Sequence, residues 1–538
     1  MGADGRAPNL PGPASTLPRV TRRDGSLVTG FLALMAMLAG CRSQPAAAIP
    51  WHAGKAEHLA VRGPKRPEYP FTTRIANMEL RSPEGGSDGF GASIGLGIHT
   101  AVIGAPGANG GGAVWVMDPQ DPAKPWTRLE PPADPQVMGF GEAVAVSPDG
   151  RWIAVGAPRS TVDGMLEAGR VFLWERVEGG WRYAQSFKGD PVLEDAQLGT
   201  SLAIGVLETP FGSKVRLSWT LMAGAPRVDI DNDIDRGLVL VWDGDSEGRW
   251  KPGPMLKWTG ARGSARFGQS VSIIMGRNLT AALVGAPGAR TGRGHLSGGA
   301  SVFTQALGSW REDPRALITG SDLGPSDQFG AAVSIGPDVA VVGATEANLS
   351  DARDAGRIFV FRNVQAAPMP GGGKQRSPPR AWMEEASLVS PRPMRTASFG
   401  SSVAIAAERI VAGSPEAAMD ATPSAGVAFT FRKVTPVQPS DPKWMPESEL
   451  RARMPTMGGR FGDQVDLIED YMLVSEPRTG SGVVHLFIRD NDAWGLPVPG
   501  SEPAQAPDAA MPQPEKAAEP AETGAAEPAA AGQPPIPV

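Results

Sequence analysis

Cysteine is almost absent from this chain: among 538 residues there is one, Cys41. A single thiol can close no internal disulfide and build no cysteine zinc cluster, so the fold must be held by its apolar core. Aromatic residues are sparse at 6%, there are only five histidines, and lysine plus arginine (51) fall short of aspartate plus glutamate (57). The resulting net charge of −6 lacks the basic footprint that a phosphate backbone demands, which argues against nucleic acid as a partner. Long amphipathic helical patterns are missing as well. What the chain has in quantity is glycine (68) and proline (53), with apolar residues in short clusters between turn residues. Many short strands follow from that pattern.

The first 40 residues read as a targeting segment. Arg19, Arg22 and Arg23 precede the apolar stretch Leu27 to Ala39, which has the layout of a secretory signal and is too short for a comfortable membrane span. The stretch ends in Leu38-Ala39-Gly40-Cys41, which resembles a bacterial lipobox, in which the cysteine thiol receives diacylglycerol. Several acyl chains on one cysteine hold firmly, whereas a single chain holds reversibly. Arg42 follows, without the aspartate that favours inner-membrane retention in enterobacterial lipoproteins, so the resemblance implies an exported protein lipid-anchored at the outer membrane. Residues 41–73, with Pro50, Pro64, Pro67 and Pro70, read as a tether. Pro368 to Arg380 reads as an exposed loop, and residues 496–538, rich in Pro, Ala and Glu, as a disordered tail.

Between them, residues 74–495 repeat themselves. Phe90-Gly91 is followed by Gly104-Ala105-Pro106 and then Gly112-Ala113-Val114. The same order returns from Phe140-Gly141, Leu198-Gly199, Phe267-Gly268, Phe329-Gly330, Phe399-Gly400 and Phe461-Gly462. A tryptophan closes each copy: Trp126, Trp181, Trp250, Trp310, Trp382, Trp444 and Trp494. Each copy therefore offers four short strands. One such unit cannot bury both its faces, so the copies must stack, and a closed ring leaves the fewest exposed edges.

These motifs resemble the FG-GAP repeat family, found in the propeller of integrin α-subunits. The resemblance implies an all-β, seven-bladed β-propeller of four-stranded antiparallel blades, with the Phe-Gly strand innermost and the Trp strand outermost. On that order the outer strand of the last blade should follow Trp494, yet Pro497 and Pro499 remove the donors a ladder needs. Arg74 to Leu80 is the segment expected to fill the gap, pairing with the strand around Val483 to Ile488.

Candidate chemistry is scarce. The acidic run Asp229, Asp231, Asp233, Asp235 could converge on calcium, but it lacks the sharpening glycine and follows Gly-Ala-Pro instead of preceding it, so a solvated acidic loop is the competing reading. Gly-x-Ser-x-Gly occurs at Gly91 to Gly95 and Gly244 to Gly248, in strand and turn settings that do not suit a nucleophile elbow. His485 sits in a strand pattern and reads as structural. No catalytic constellation is expected. Three readings stand: a binding or scaffold lipoprotein recognising a protein or a glycan, a hydrolase or lyase using the central channel, and a structural envelope component. Clustered carboxylates at the channel mouth would favour the second, and an exposed apolar or aromatic patch the first.

Overall fold

The computed structural model describes residues 71–498, apart from 278, 292–294, 307, 366–379, 439–440 and 442. Cys41 and its lipobox, almost all of the tether, the loop after Gln365 and the tail beyond Val498 lie outside the described residues. Every regular element within them is a strand.

The strands form seven antiparallel blades. Blade 1 consists of Ser93–Gly97, Thr100–Ala105, Ala113–Met117 and Thr127–Leu129, paired in that order from the inside outward. The inner strands of blades 2 to 7 are Ala143–Val146, Leu202–Phe211, Ser270–Met275, Phe329–Ile335, Val403–Ala406 and Val465–Ile468. Each inner strand touches the next, and the seventh touches the first, so the array closes. The upper face of the ring carries the links from second to third strands and from blade to blade. The lower face carries the turns between first and second strands and between third and fourth.

The recurring residues are explained by the seams. The Phe-Gly phenylalanines are completely buried, as are second strands such as Thr100–Ala105, and the apolar side chains segregate into seven clusters that each bridge two adjacent blades. Gly104 marks why Gly-Ala-Pro begins with glycine: a Cβ there would stand 2.1 Å from the carbonyl oxygen of Gly141 in the next blade. Gly112, at φ +118°, would put its Cβ 2.1 Å from the carbonyl of Phe140. Blades 1 to 6 thus each grip the Phe-Gly backbone of their successor at two glycines. A serine adds a stitch at four seams, where Ser93, Ser201, Ser270 and Ser402 donate to the following Phe-Gly glycine carbonyl at 2.7–2.9 Å.

The closing seam is built differently. Ser475 stands where the other blades have glycine and Gln464 where four of them have serine, and Gln464 N–H donates to Ser475 Oγ at 3.0 Å. Phe90 N–H donates to the Ser481 carbonyl as the equivalent amides do at the other seams, while Leu96 N–H donates to the Asp466 carboxylate at 2.7 Å. Met78–Arg81 supplies the outer strand of blade 7, antiparallel to Val483–Asp490 from Met78↔Leu486 to Arg81↔Val483, as the prolines after Trp494 required. The remainder of the expected clasp goes elsewhere. Thr72–Ile75 lies parallel to Ser448–Arg451 on the outer strand of blade 6, and Leu496–Pro497 pairs with its other edge. The chain changes blade at Ala76-Asn77, where Asn77 Oδ1 accepts the N–H of Ile488 at 2.7 Å.

Candidate functional site

Gly199 and Gly224 stand 25 positions apart in blade 3, whereas Gly91 and Gly104 stand 13 apart in blade 1. The extra chain extends the inner strand Leu202–Phe211 and the second strand Lys214–Ala225, which pair over ten positions; the corresponding pair in blade 4 spans six. The sheet face that looks toward blade 4 therefore outruns its neighbour and is left bare below. It forms a groove of about 730 Å³, with Met275, Gln305 and Gly308 of blade 4 on the far side.

Strand register places the groove side chains in rows. Thr209 is opposite Arg216, and Thr220, Asp243 and Lys251 follow one another across three strands. Thr220 Oγ1 donates to Asp243 Oδ1 at 2.9 Å, and Arg249 Nε donates to Asp245 at 2.9 Å. Arg216 and Lys251 form no ion pair among the described residues. Behind the groove stands an aromatic wall: Trp250 is edge-on to Trp152 at 5.3 Å, and Arg151 lies 4.7 Å over Trp219, whose Nε1 donates to Asp149. Hydroxyls, a carboxylate and two free cations suit a polar ligand. The long Phe-Gly to Gly-Ala-Pro interval was the sequence signal for this groove, and the repeat reading passes over it.

The acidic run lies on the opposite, upper face, and its four carboxylates are engaged by a backbone amide and by Arg227 and Arg236. Asp229 Oδ1 accepts the N–H of Asp235, Asp231 pairs with Arg236 at 3.0 Å, Asp233 lies 3.9 Å from Arg236, and Asp235 lies 3.6 Å from Arg227. Ile230 and Asp233 form an isolated antiparallel bridge across the turn. Among the described residues no three His, Cys, Asp or Glu side chains converge on a cation position, so the structure does not assemble the calcium site entertained for Asp229, Asp231, Asp233 and Asp235.

The upper mouth of the channel is a cavity of about 380 Å³ lined by hydroxyls and amides, including Ser93, Thr200, Gln269, Ser401 and Gln464. Its one carboxylate, Glu142, is paired with Arg159; burial pushes its carboxyl above the ordinary range against that pairing. Ser93 of the first Gly-x-Ser-x-Gly is spent on the seam, and Ser246 of the second lies exposed in a lower turn. His485 is buried, with Nε2 2.9 Å from Glu476, whose other oxygen accepts from Thr479 at 2.7 Å. Glu476 fills the alanine place of Gly-Ala-Pro, and the pair is enclosed within blade 7.

No curated protein matches the chain in sequence. Solved structures of similar trace include the periplasmic gluconolactonase of Pseudomonas aeruginosa, at 12% identity and TM-score 0.40 over 72% of this chain and 92% of that one. The β-propeller domain of the Trilobed protease from Pyrococcus furiosus matches at 10% identity and TM-score 0.35 over 76% and 97%. A fucose-recognising, six-bladed lectin from Aleuria aurantia matches at 10% identity and TM-score 0.30 over 68% and 95%. A family model described as the FG-GAP repeat matches residues 313–361, from the outer strand of blade 4 to the third strand of blade 5. The chain is thus a seven-bladed β-propeller that carries the FG-GAP repeat.

Proposed function

We propose that this protein is an exported binding or scaffold module of a bacterial envelope, held at the outer membrane through lipid on Cys41, and that the upper face of its ring recognises a protein. The supporting observation is where apolar side chains are exposed. Among the described residues, ten of the large ones lie in upper-face links, among them Met138, Met165, Leu166, Ile234, Met454 and Met457, against four in the lower turns. Five of the ten are methionines, whose unbranched thioethers adapt to a partner surface. Capture from envelope fractions tests this: a partner retained by the parent should be lost when Met138, Met454 and Met457 are replaced by lysine. Equal retention by that variant would overturn the reading.

The blade 3 groove favours a second reading, a glycan ligand, through its hydroxyls, Asp243 and Lys251. Saccharide binding abolished by Asp243→Ala and Lys251→Ala would select it. The hydrolase or lyase reading has, among the described residues, only the arginine-paired Glu142 at the channel mouth to draw on.

A further inference from the structure

The two long strands of blade 3 do more than wall the groove. Beyond Trp219, where the third strand stops pairing, Leu207–Phe211 and Lys214–Ser218 continue as a two-stranded ribbon below the ring, joined at Gly212-Ser213. Soluble proteins end such ribbons in polar residues, because an unpaired edge with an apolar tip invites association. Here the tip carries Phe211 at 70% exposure and Val215 at 57%. Cross-strand register sets Phe211 opposite Lys214 and Thr209 opposite Arg216, so the ring and both cations share one face of the ribbon while Val215 points to the other. Neither Lys214 nor Arg216 has an ion-pair partner among the described residues; Glu208, on the Val215 face, is the ribbon's one carboxylate.

We propose that this ribbon is a membrane-contacting finger: Phe211 and Val215 enter the headgroup boundary of an anionic bilayer while Lys214 and Arg216 lie among its phosphates. Aromatic and aliphatic side chains at the end of a rigid projection, bracketed by unpaired cations, match the apolar-then-anionic profile met on approaching such a surface. The lower side is also the one from which the described chain sets out, since Thr72–Ile75 runs parallel to Ser448–Arg451, away from the lower turns. The finger would orient a ring already held near the bilayer, leaving the upper face outward. In that respect it extends the envelope reading, but its contact with lipid does not depend on Cys41.

The test is co-sedimentation of the chain from Arg42 to Val538, which keeps every described residue, with vesicles of phosphatidylglycerol and phosphatidylethanolamine. The parent should bind, and Phe211→Ser with Val215→Ser should weaken binding about tenfold. Lys214→Glu should weaken it on anionic vesicles and leave it unchanged on phosphatidylcholine. Because the tip is exposed, all variants should melt with the parent. The upper-face lysine variant should bind vesicles like the parent, so failure of the finger and failure of the partner reading are separable. Absence of vesicle binding, or binding that the tip variants leave intact, overturns the proposal. So does a dimer seen by light scattering that the tip variants dissolve without any vesicle binding, which would make a second copy of the chain the occupant.

Discussion

A methyl group is enough to unseat one blade from the next. At Gly285 a Cβ would stand 2.0 Å from the carbonyl oxygen of Gly330, a backbone atom that cannot turn away. Gly285→Ala should therefore destabilise the ring by about 3 kcal/mol or more. Gly164→Ala, at φ +84° but with open space around it, should cost about 1 kcal/mol; comparable denaturant midpoints for the two would refute the seam argument. Asp466 bears on the closing seam in another way. Burial pushes its carboxyl up to about 6, outweighing the N–H donors of Leu96 and Leu467. The folded chain therefore holds this proton more tightly than the unfolded one, so the group's contribution is complete below its unfolded pKa and is lost as pH rises toward 6. Relative to Asp466→Asn, the parent should lose up to about 2 kcal/mol between pH 4 and pH 7, measured by chemical denaturation at each pH. Parallel profiles would show that Asp466 does not titrate in this way. The glycines were legible in the sequence because they recur. Asp466 was not, since it becomes special only where the last inner strand meets the first.

Strand lengths and pairings were legible to different degrees. The missing outer strand of blade 7 could be inferred because two prolines stood where donors were needed, and Met78–Arg81 does fill it. That Thr72–Ile75 would cross to blade 6 was not legible, because a parallel edge pairing leaves no turn signal and follows from the position of Ala76-Asn77 in the assembled ring. Deleting residues up to Leu80 should remove both edge strands and the buried Ile75 and Leu80, and lower stability by about 4 kcal/mol or more. Deleting everything after Gly500 should change it by less than about 0.5 kcal/mol. Thermal melts of the two truncations decide the matter, and similar melting temperatures would mean the clasp is dispensable.

At the scale of the whole molecule, attachment and metal dependence can be separated by experiment. Cys41→Ser should shift the protein from the membrane to the soluble envelope fraction, since the finger alone is a weak, reversible contact. Retention of the variant in washed membranes would place the anchor elsewhere. Chelation with EDTA should move the melting temperature by no more than ~1 °C, because Asp229 to Asp235 are held by amides and arginines; a larger drop reversed by calcium would contradict that. The closure also has a consequence for the order of events during synthesis. Thr72 pairs with Ser448, so the first of the described strands to leave the ribosome waits for one of the last. At about 5–20 residues per second that delay is on the order of twenty to eighty seconds. Through that interval the early blades stack in sequence while their starting edge stays unclaimed. A nascent chain therefore spends its youth as an open arc, and the step that ends its vulnerability is the arrival of the strand that Thr72 awaits.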